Sequence, residues 1–353
     1  MNPLAEDLEH ILTRTAPLWP DLSGARLFIT GGTGFFGRWL LESFCQANRV
    51  HQLRAEAVVL TRDPAGFARQ CPGLAADSAL CFVPGDIRHF AFPPGEFTHV
   101  IHAATPASAQ LNADEPLTMW ETIVDGTRRV LELALARGVR GFLLTSSGAV
   151  YGPQPPELLQ LPETYAGGPD TLNPASAYAE GKRAAEYLCV ATAQAHGLPV
   201  KIARCFAFVG PHLPLDAHFA AGNFLRDALH GGPIRVSGDG TPYRSYLYAA
   251  DLAIWLWTIL LRGAPGRAYN VGSDDAVTIS ELAHLIAGLT DPPCSVEIAR
   301  SPAPGPAARY VPSVARAQEE LGLQVTVPLP LALRRTLAWA AGTSSFAKQA
   351  WML

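Results

Sequence analysis

The sequence predicts an α/β fold, a doubly wound parallel sheet that carries a smaller C-terminal lobe. Three observations support this. Short apolar runs alternate with longer segments of helical periodicity from residue 25 to about 204. These runs are nearly continuous instead of alternating with polar residues, as expected of strands covered by helices on both faces. After about residue 205 the rhythm loosens and Pro and Gly become frequent, notably over 205–250 and 290–330. The expected organisation is an N-terminal extension over 1–24, a dinucleotide-binding lobe over 25–204, and a mainly substrate-binding lobe over 205–353 with some segments returning to the first.

The elements follow in order. Leu4, Leu8, Ile11 and Leu12 recur at helical spacing, so residues 1–24 predict one packed helix that ends near Pro17 and Pro20. Strands are expected at "ARLFIT" (25–30), "AVVLT" (57–61), "ALCFV" (79–83), "THVIHA" (98–103), "GFLLTS" (141–146) and "VKIAR" (200–204). Helices are expected over 38–48, 115–137 and 177–196. The run "IWLWTILL" at 254–261 follows Asp251 and ends in Arg262-Gly263, a buried helix with a glycine stop. "SPAPGPAAR" (301–309) predicts a surface loop.

Composition excludes several classes. The chain has 353 residues, 48% of them hydrophobic, enough for a large core in two lobes. Net charge is −4 and no run of Lys or Arg occurs, so neither nucleic acid nor an anionic membrane surface is an expected partner. The longest apolar run is far too short to span a bilayer. "MNPLAEDLEHIL" carries acids where a secretion signal carries positive charge. The six cysteines show no paired spacing and predict reduced thiols in a cytoplasmic protein, with no metal. "HLPLDAH" (212–218) also lacks a metal-ligand spacing in His212, Asp216 and His218, and is expected to form a loop over the substrate.

A cofactor site is predicted at the first turn. "ITGGTGFFG" follows the first strand and opens a helix, with Gly31, Gly34 and Gly37 at G-x-x-G-x-x-G spacing. Such glycines permit a tight turn and a close backbone approach. The amides around Thr33, Phe35 and Phe36 and the helix dipole can then meet a pyrophosphate, in the manner of a Rossmann lobe. At the end of the second strand an acidic residue would take the ribose of NAD, whereas an arginine suits the 2′-phosphate of NADP. "VVLTRDP" places Thr61 and Arg62 at that corner and Asp63 one step later, so either NAD or NADP is admitted and Arg62 leans toward NADP. Asp86 and Ile87 in "PGDI", with Ala103 and Ala104 in "VIHAA", complete the strand-end loops. His102 is expected to be packed rather than catalytic.

"SAYAEGK" sets Tyr178 and Lys182 at i and i+4, on one helix face. A free tyrosine, with a pKa of about 10, is a poor base near neutrality. A neighbouring ammonium and a positive nicotinamide ring favour its phenolate. A drop of about three units needs roughly 4 kcal/mol. Ser147, at the end of the fifth strand in "TSSGAVYG", would hydrogen-bond the reacting oxygen while Tyr178 moves the proton.

"TGGTGFFG", "GDI", "VIHAA", "TSSGAVYG", "SAYAEGK", "GDGTPYRSYLYAADLA" and "ARYVPSVARAQEELG" occur in the order found in the extended short-chain dehydrogenase/reductases. Over about residues 25–340 the chain resembles their NAD(P)-dependent epimerase/dehydratase family, which acts on nucleotide sugars. The resemblance implies a catalytic group of Ser147, Tyr178 and Lys182, with Tyr178 and Lys182 also touching the cofactor and Ser147 and Tyr178 the substrate. It implies that Asn223, Arg244 and Arg309 contact a nucleotide diphosphate, for which a guanidinium fork is well matched. It also implies a homodimer formed through the helices around 115–137 and 177–196.

Three departures touch cofactor or substrate preference: Ile123 and Ala207 stand where relatives often carry Asn, and the acidic ribose residue is displaced to Asp63. A fourth bears on the reaction. The family's 4,6-dehydratases carry Asp-Glu directly after the strand hydroxyl, and its decarboxylases carry Glu at the second of those positions. Here they are Gly148 and Ala149, which exchange no proton. The pattern resembles that of the epimerases and leaves hydride and hydroxyl-proton transfer. A C4 epimerase similar to UDP-glucose 4-epimerase is the first expectation, and an NADPH-dependent reductase of nucleotide 4-keto-6-deoxysugars is the alternative. Dehydration is disfavoured, and a non-catalytic NADP-binding regulator is disfavoured because the Tyr-Lys pair is kept.

Overall fold

The computed structural model describes residues 4–106, 108–217 and 219–343. Seven strands form one parallel sheet: β1 (Arg26–Thr30), β2 (Glu56–Thr61), β3 (Leu80–Pro84), β4 (His99–His102), β5 (Gly141–Ser147), β6 (Val200–Cys205) and β7 (Arg267–Val271). Their order is β3-β2-β1-β4-β5-β6-β7, so chain direction across the sheet reverses between β1 and β4. In such sheets ligands bind beyond the strand ends at this switch point. The register fixes its floor: Thr30 pairs with His102, and Thr145 with Ala203.

β5 is buried at every position, which accounts for its unbroken apolar run. α1 (Ala5–Thr15) packs on α2 (Phe35–His51) and α5 (Ala249–Arg262), and the helices that cover the sheet include α2, α3 (Pro116–Ala136), α4 (Ala177–His196) and α5. The expected and observed bounds coincide for α4. α2 starts three residues earlier than its periodicity suggests, because Gly34 serves as its cap and Phe35 is already helical.

α5 holds the "IWLWTILL" run and is buried along nearly its whole length. Its indoles are satisfied: Trp257 Nε1 donates to Ser43 Oγ (2.9 Å) and Trp255 Nε1 to the Gln324 carbonyl (3.2 Å). Replacing either tryptophan by alanine removes about 3–5 kcal/mol of stability. Among the described residues no helix is long and apolar enough to cross a membrane.

The N-terminal extension is a packing element. α1 buries Leu8 and Ile11, and a second short turn follows at Trp19–Leu22. Asp7 accepts from Tyr248 Oη and from Arg335 Nη1, both at 2.6 Å, tying α1 to helix Leu329–Thr343.

β7 was not among the expected strands. "RAYNV" carries Arg267 and Asn270, which break the apolar run. Asn270 is buried because its amide is fully used: Nδ2 donates to the Leu161 and Ser313 carbonyls (2.8 and 3.0 Å), and Oδ1 accepts from Tyr151 Oη (2.7 Å). Beyond the sheet, strand Tyr243–Ser245 lies between strands Ala276–Thr278 and Arg309–Tyr310.

Candidate active site

The loop between β1 and α2 is shaped by its glycines. Gly31 has φ +73°, and a β-carbon on it would lie 2.5 Å from the Ala103 carbonyl of the neighbouring strand end. A β-carbon on Gly37 would lie 2.3 Å from the Gly31 carbonyl oxygen. Gly34 meets nothing nearer than 3.4 Å and is exposed, so the side facing the switch point is open to a ligand. With the amides of Phe35 and Phe36 in the first turn of the 17-residue α2, this arrangement fits the pyrophosphate of a dinucleotide. Ala104 N–H donates to Thr30 Oγ1 (3.2 Å), which fixes the Ala103–Ala104 strand end against this loop.

The corner after β2 separates its two charged residues. Thr61 is buried and Arg62 exposed. Asp63 Oδ1 accepts from Gly66 N–H (2.8 Å), capping helix Pro64–Gln70. Asp86 is gripped by Arg88 at 2.9 and 3.1 Å, which lowers its carboxyl to about 2. Ile87 is buried beside Gly126 of α3. Arg38 reaches across from α2 to Gln70 Oε1 (2.8 Å) and the Thr33 carbonyl (3.2 Å).

β5 delivers Ser147, and α4 delivers Tyr178 and Lys182 one turn apart. The start of α4 is pinned by Asn112, whose Oδ1 accepts from Tyr178 N–H (2.8 Å) and whose Nδ2 donates to the Ala175 carbonyl (2.7 Å). Lys182 is 4% exposed, and its ammonium donates to Thr105 Oγ1 (2.7 Å) and the Thr145 carbonyl (2.8 Å). Burial lowers its pKa to about 8. Burial raises the Tyr178 phenol, a nearby Cys205 thiol adds to this, and Ser147 opposes it through a hydrogen bond. Ser147 Oγ accepts from Ala149 N–H (3.1 Å).

His102 is packed as expected: its Nδ1 lies 2.8 Å from Thr30 Oγ1 and its Nε2 3.1 Å from Thr127 Oγ1. Ile123 packs on Gly181 of α4, giving an apolar contact between α3 and α4 where relatives often carry Asn.

Of the three diphosphate candidates, Arg244 and Arg309 lie on adjacent strands and Asn223 on helix Ala220–Leu229. Arg309 pairs in register with Tyr243, and Tyr310 with Arg244. Successive side chains leave a strand on opposite faces. Arg309 therefore stacks on Tyr243 (4.0 Å), on the face away from Arg244 and Tyr310. Asn223, with its amide nitrogen turned toward the Leu215 and Ala217 carbonyls (3.0 and 2.8 Å), holds the 213–217 loop. His212 packs its ring between Trp39 and Trp339. His218 lies outside the described residues, and among those described no three His, Cys, Asp or Glu side chains gather as metal ligands.

Sequence reasoning missed Thr105, Asn112 and Tyr310. Thr105 and Asn112 sit in the segment after β4, and no local spacing links them to α4.

A parallel seven-stranded sheet carries a glycine-lined loop at its switch point, with Ser147, Tyr178 and Lys182 on the neighbouring β5 and α4. The profile of the NAD dependent epimerase/dehydratase family matches residues 27–272, and the chain belongs to that family. It is 31% identical over 315 residues to UDP-glucuronic acid decarboxylase 1 of Arabidopsis thaliana, covering 89% of this chain and 69% of that protein. Its fold is similar to UDP-glucose 4-epimerase of Thermotoga maritima solved with UDP-glucose (TM-score 0.76, 22% identity, 90% of this chain and 99% of that one). It is similar in the same way to WbmF of Bordetella bronchiseptica solved with NAD+ and UDP (TM-score 0.75, 22% identity, 94% and 96%).

Proposed function

We propose that the chain is a C4 epimerase of a nucleotide-linked hexose, with Ser147, Tyr178 and Lys182 as its catalytic group. The observation that carries this reading is that Gly148 and Ala149 follow Ser147, so the two positions after the strand hydroxyl offer no side chain that exchanges a proton. An NAD held by the glycine loop and the strand ends would supply the acceptor, and afterwards the donor, of the sugar's C4 hydride. Tyr178, as phenolate, takes the C4 hydroxyl proton as the C–H bond breaks. Ser147 holds that oxygen, and Lys182 keeps the local charge positive. When the ketone has turned, Tyr178 gives the proton back to the C4 oxygen. Atoms and electrons balance with no outside reductant.

The cofactor residues are those of the cradle and strand ends: Gly31, Thr33, Gly34, Phe35, Phe36, Gly37, Thr61, Ala103 and Ala104. UDP as the nucleotide is supported by the names of the relatives, and Arg244 is the better placed of the two arginines to meet its diphosphate. Exposed Leu117, Trp120, Tyr187 and Val190 on α3 and α4 support a homodimer through these helices.

Two other readings each have an observation behind them. The relatives' names favour decarboxylation, in which a C6 carboxylate would leave the 4-ketone as CO2; C5 then needs a proton, and Ala149 offers none. Exposed Arg62, with Asp63 turned away into a helix cap, favours an NADPH-dependent 4-ketoreductase. Denaturing the purified protein and identifying the released dinucleotide separates the last of these. About one NAD per chain is expected. An empty protein that takes up NADPH in preference to NADH would overturn the epimerase.

A further inference from the structure

The space that a side chain at position 148 would use is filled from the other lobe. A β-carbon on Gly148 would lie 2.6 Å from the Tyr310 hydroxyl and 2.7 Å from Phe206 Cζ. Tyr310 is held there by ring and backbone together. Its ring centroid is 4.7 Å from that of Phe206, and the Arg244 guanidinium shares its face of the small sheet. The next residue, Val311, donates its N–H to Gln154 Oε1 (3.0 Å) and accepts from Leu161 N–H (2.8 Å). The Tyr310 hydroxyl therefore lies beside the Ser147–Gly148 peptide, and Ser147 favours the ionised form of both the Tyr310 and the Tyr178 phenols.

A serine hydroxyl has one proton to give and two acceptor positions. One position at Ser147 is taken by Ala149 N–H. We infer that Tyr310 is a positioning residue: it donates to the remaining acceptor position of Ser147 and so commits the Ser147 proton to the Tyr178 oxygen, or to the C4 oxygen of a bound sugar. A hydrogen bond given to a phenolate favours that form, so Tyr310 acts on the base through Ser147. Burial raises the Tyr310 phenol itself, which keeps it a donor through the working pH range. Gly148 is then required because any side chain there displaces the Tyr310 hydroxyl.

This rests on Tyr178 being the base, and its test has one arm that needs no substrate. The NAD-loaded protein is titrated by the ultraviolet absorbance of tyrosinate, and the Tyr178 contribution is taken in each background by difference from the corresponding Tyr178→Phe variant. Tyr310→Phe is expected to move the Tyr178 ionisation upward by about one pH unit. The acid limb of kcat on a nucleotide sugar moves with it, so turnover below that pKa falls roughly tenfold and recovers at higher pH, with KM little changed. Gly148→Ala shifts the titration in the same direction, and the double variant shifts it no further than Tyr310→Phe alone. An unmoved Tyr178 titration in Tyr310→Phe, or a loss of kcat equal at all pH values, overturns the inference. Turnover retained in Tyr178→Phe would instead overturn the parent reading, so the two failures are distinct.

Discussion

On the cofactor side of the candidate site, each group is held by neighbours at the ends of adjacent strands. Gly31 sits against Ala103, Thr30 fixes Ala104, and Lys182 is tied to Thr105 and to the Thr145 carbonyl. On the opposite side, Arg244, Arg309 and Tyr310 ride on strands of two or three residues drawn from distant parts of the chain. The first side is preformed by the sheet, whereas the second depends on how the C-terminal lobe docks. Substitutions on the first side should therefore affect chemistry or cofactor retention outright, and those on the second should tune KM and pH response.

The largest expected effect is Tyr178→Phe, which should lower turnover by about 10³-fold or more while the dinucleotide stays bound. If the cofactor were lost as well, chemistry and cradle would not be separable in this way. Next is Gly31→Ala. Its φ of +73° and the 2.5 Å approach to Ala103 predict a loss of about 2–3 kcal/mol in stability and loss of the dinucleotide, read by denaturant unfolding and by chromatography of released cofactor. Unchanged retention would contradict a cradle that must be glycine.

Acid should strain the cofactor side through His102, whose pKa burial lowers from 6.5 to about 3, with the Lys182 charge adding to the effect. The unfolded chain binds this proton below about pH 6.5 and the folded chain does not, so the contribution is present above 6.5 and is lost as pH falls toward 3. Between pH 7 and 5 this single group costs about 2 kcal/mol. His102→Gln should flatten that stretch of the stability profile, and an unaltered slope would assign the proton elsewhere. The smallest effect is on the lobe side: Arg244→Ala should raise KM for a nucleotide sugar about tenfold, or about 1.4 kcal/mol, and Arg309→Ala less. Equal effects would mean that both faces of the small sheet meet the diphosphate.

Legibility in the sequence follows the same division. Six of the seven sheet strands and α4 are written in local patterns, whereas Ser147, Tyr178 and Lys182 stand out only through their order along the chain, because a Tyr-Lys pair at i and i+4 is common by itself. β7 was hidden because Asn270 is buried through hydrogen bonds that only the folded chain supplies. Tyr310 lies next to Arg309 in a segment that was singled out for its arginine, yet its approach to Gly148 depends on the register of two remote strands. The face each arginine takes is settled by that register as well.

As a C4 epimerase the site would move only a hydride at C4 and a hydroxyl proton. The most direct test is to incubate the NAD-loaded protein with UDP-glucose and, separately, UDP-glucuronate in deuterium oxide and read the products by NMR. A C4 epimer with no solvent deuterium on carbon is the predicted result. Deuterium at C5, or a pentose product formed with release of CO2, would contradict it.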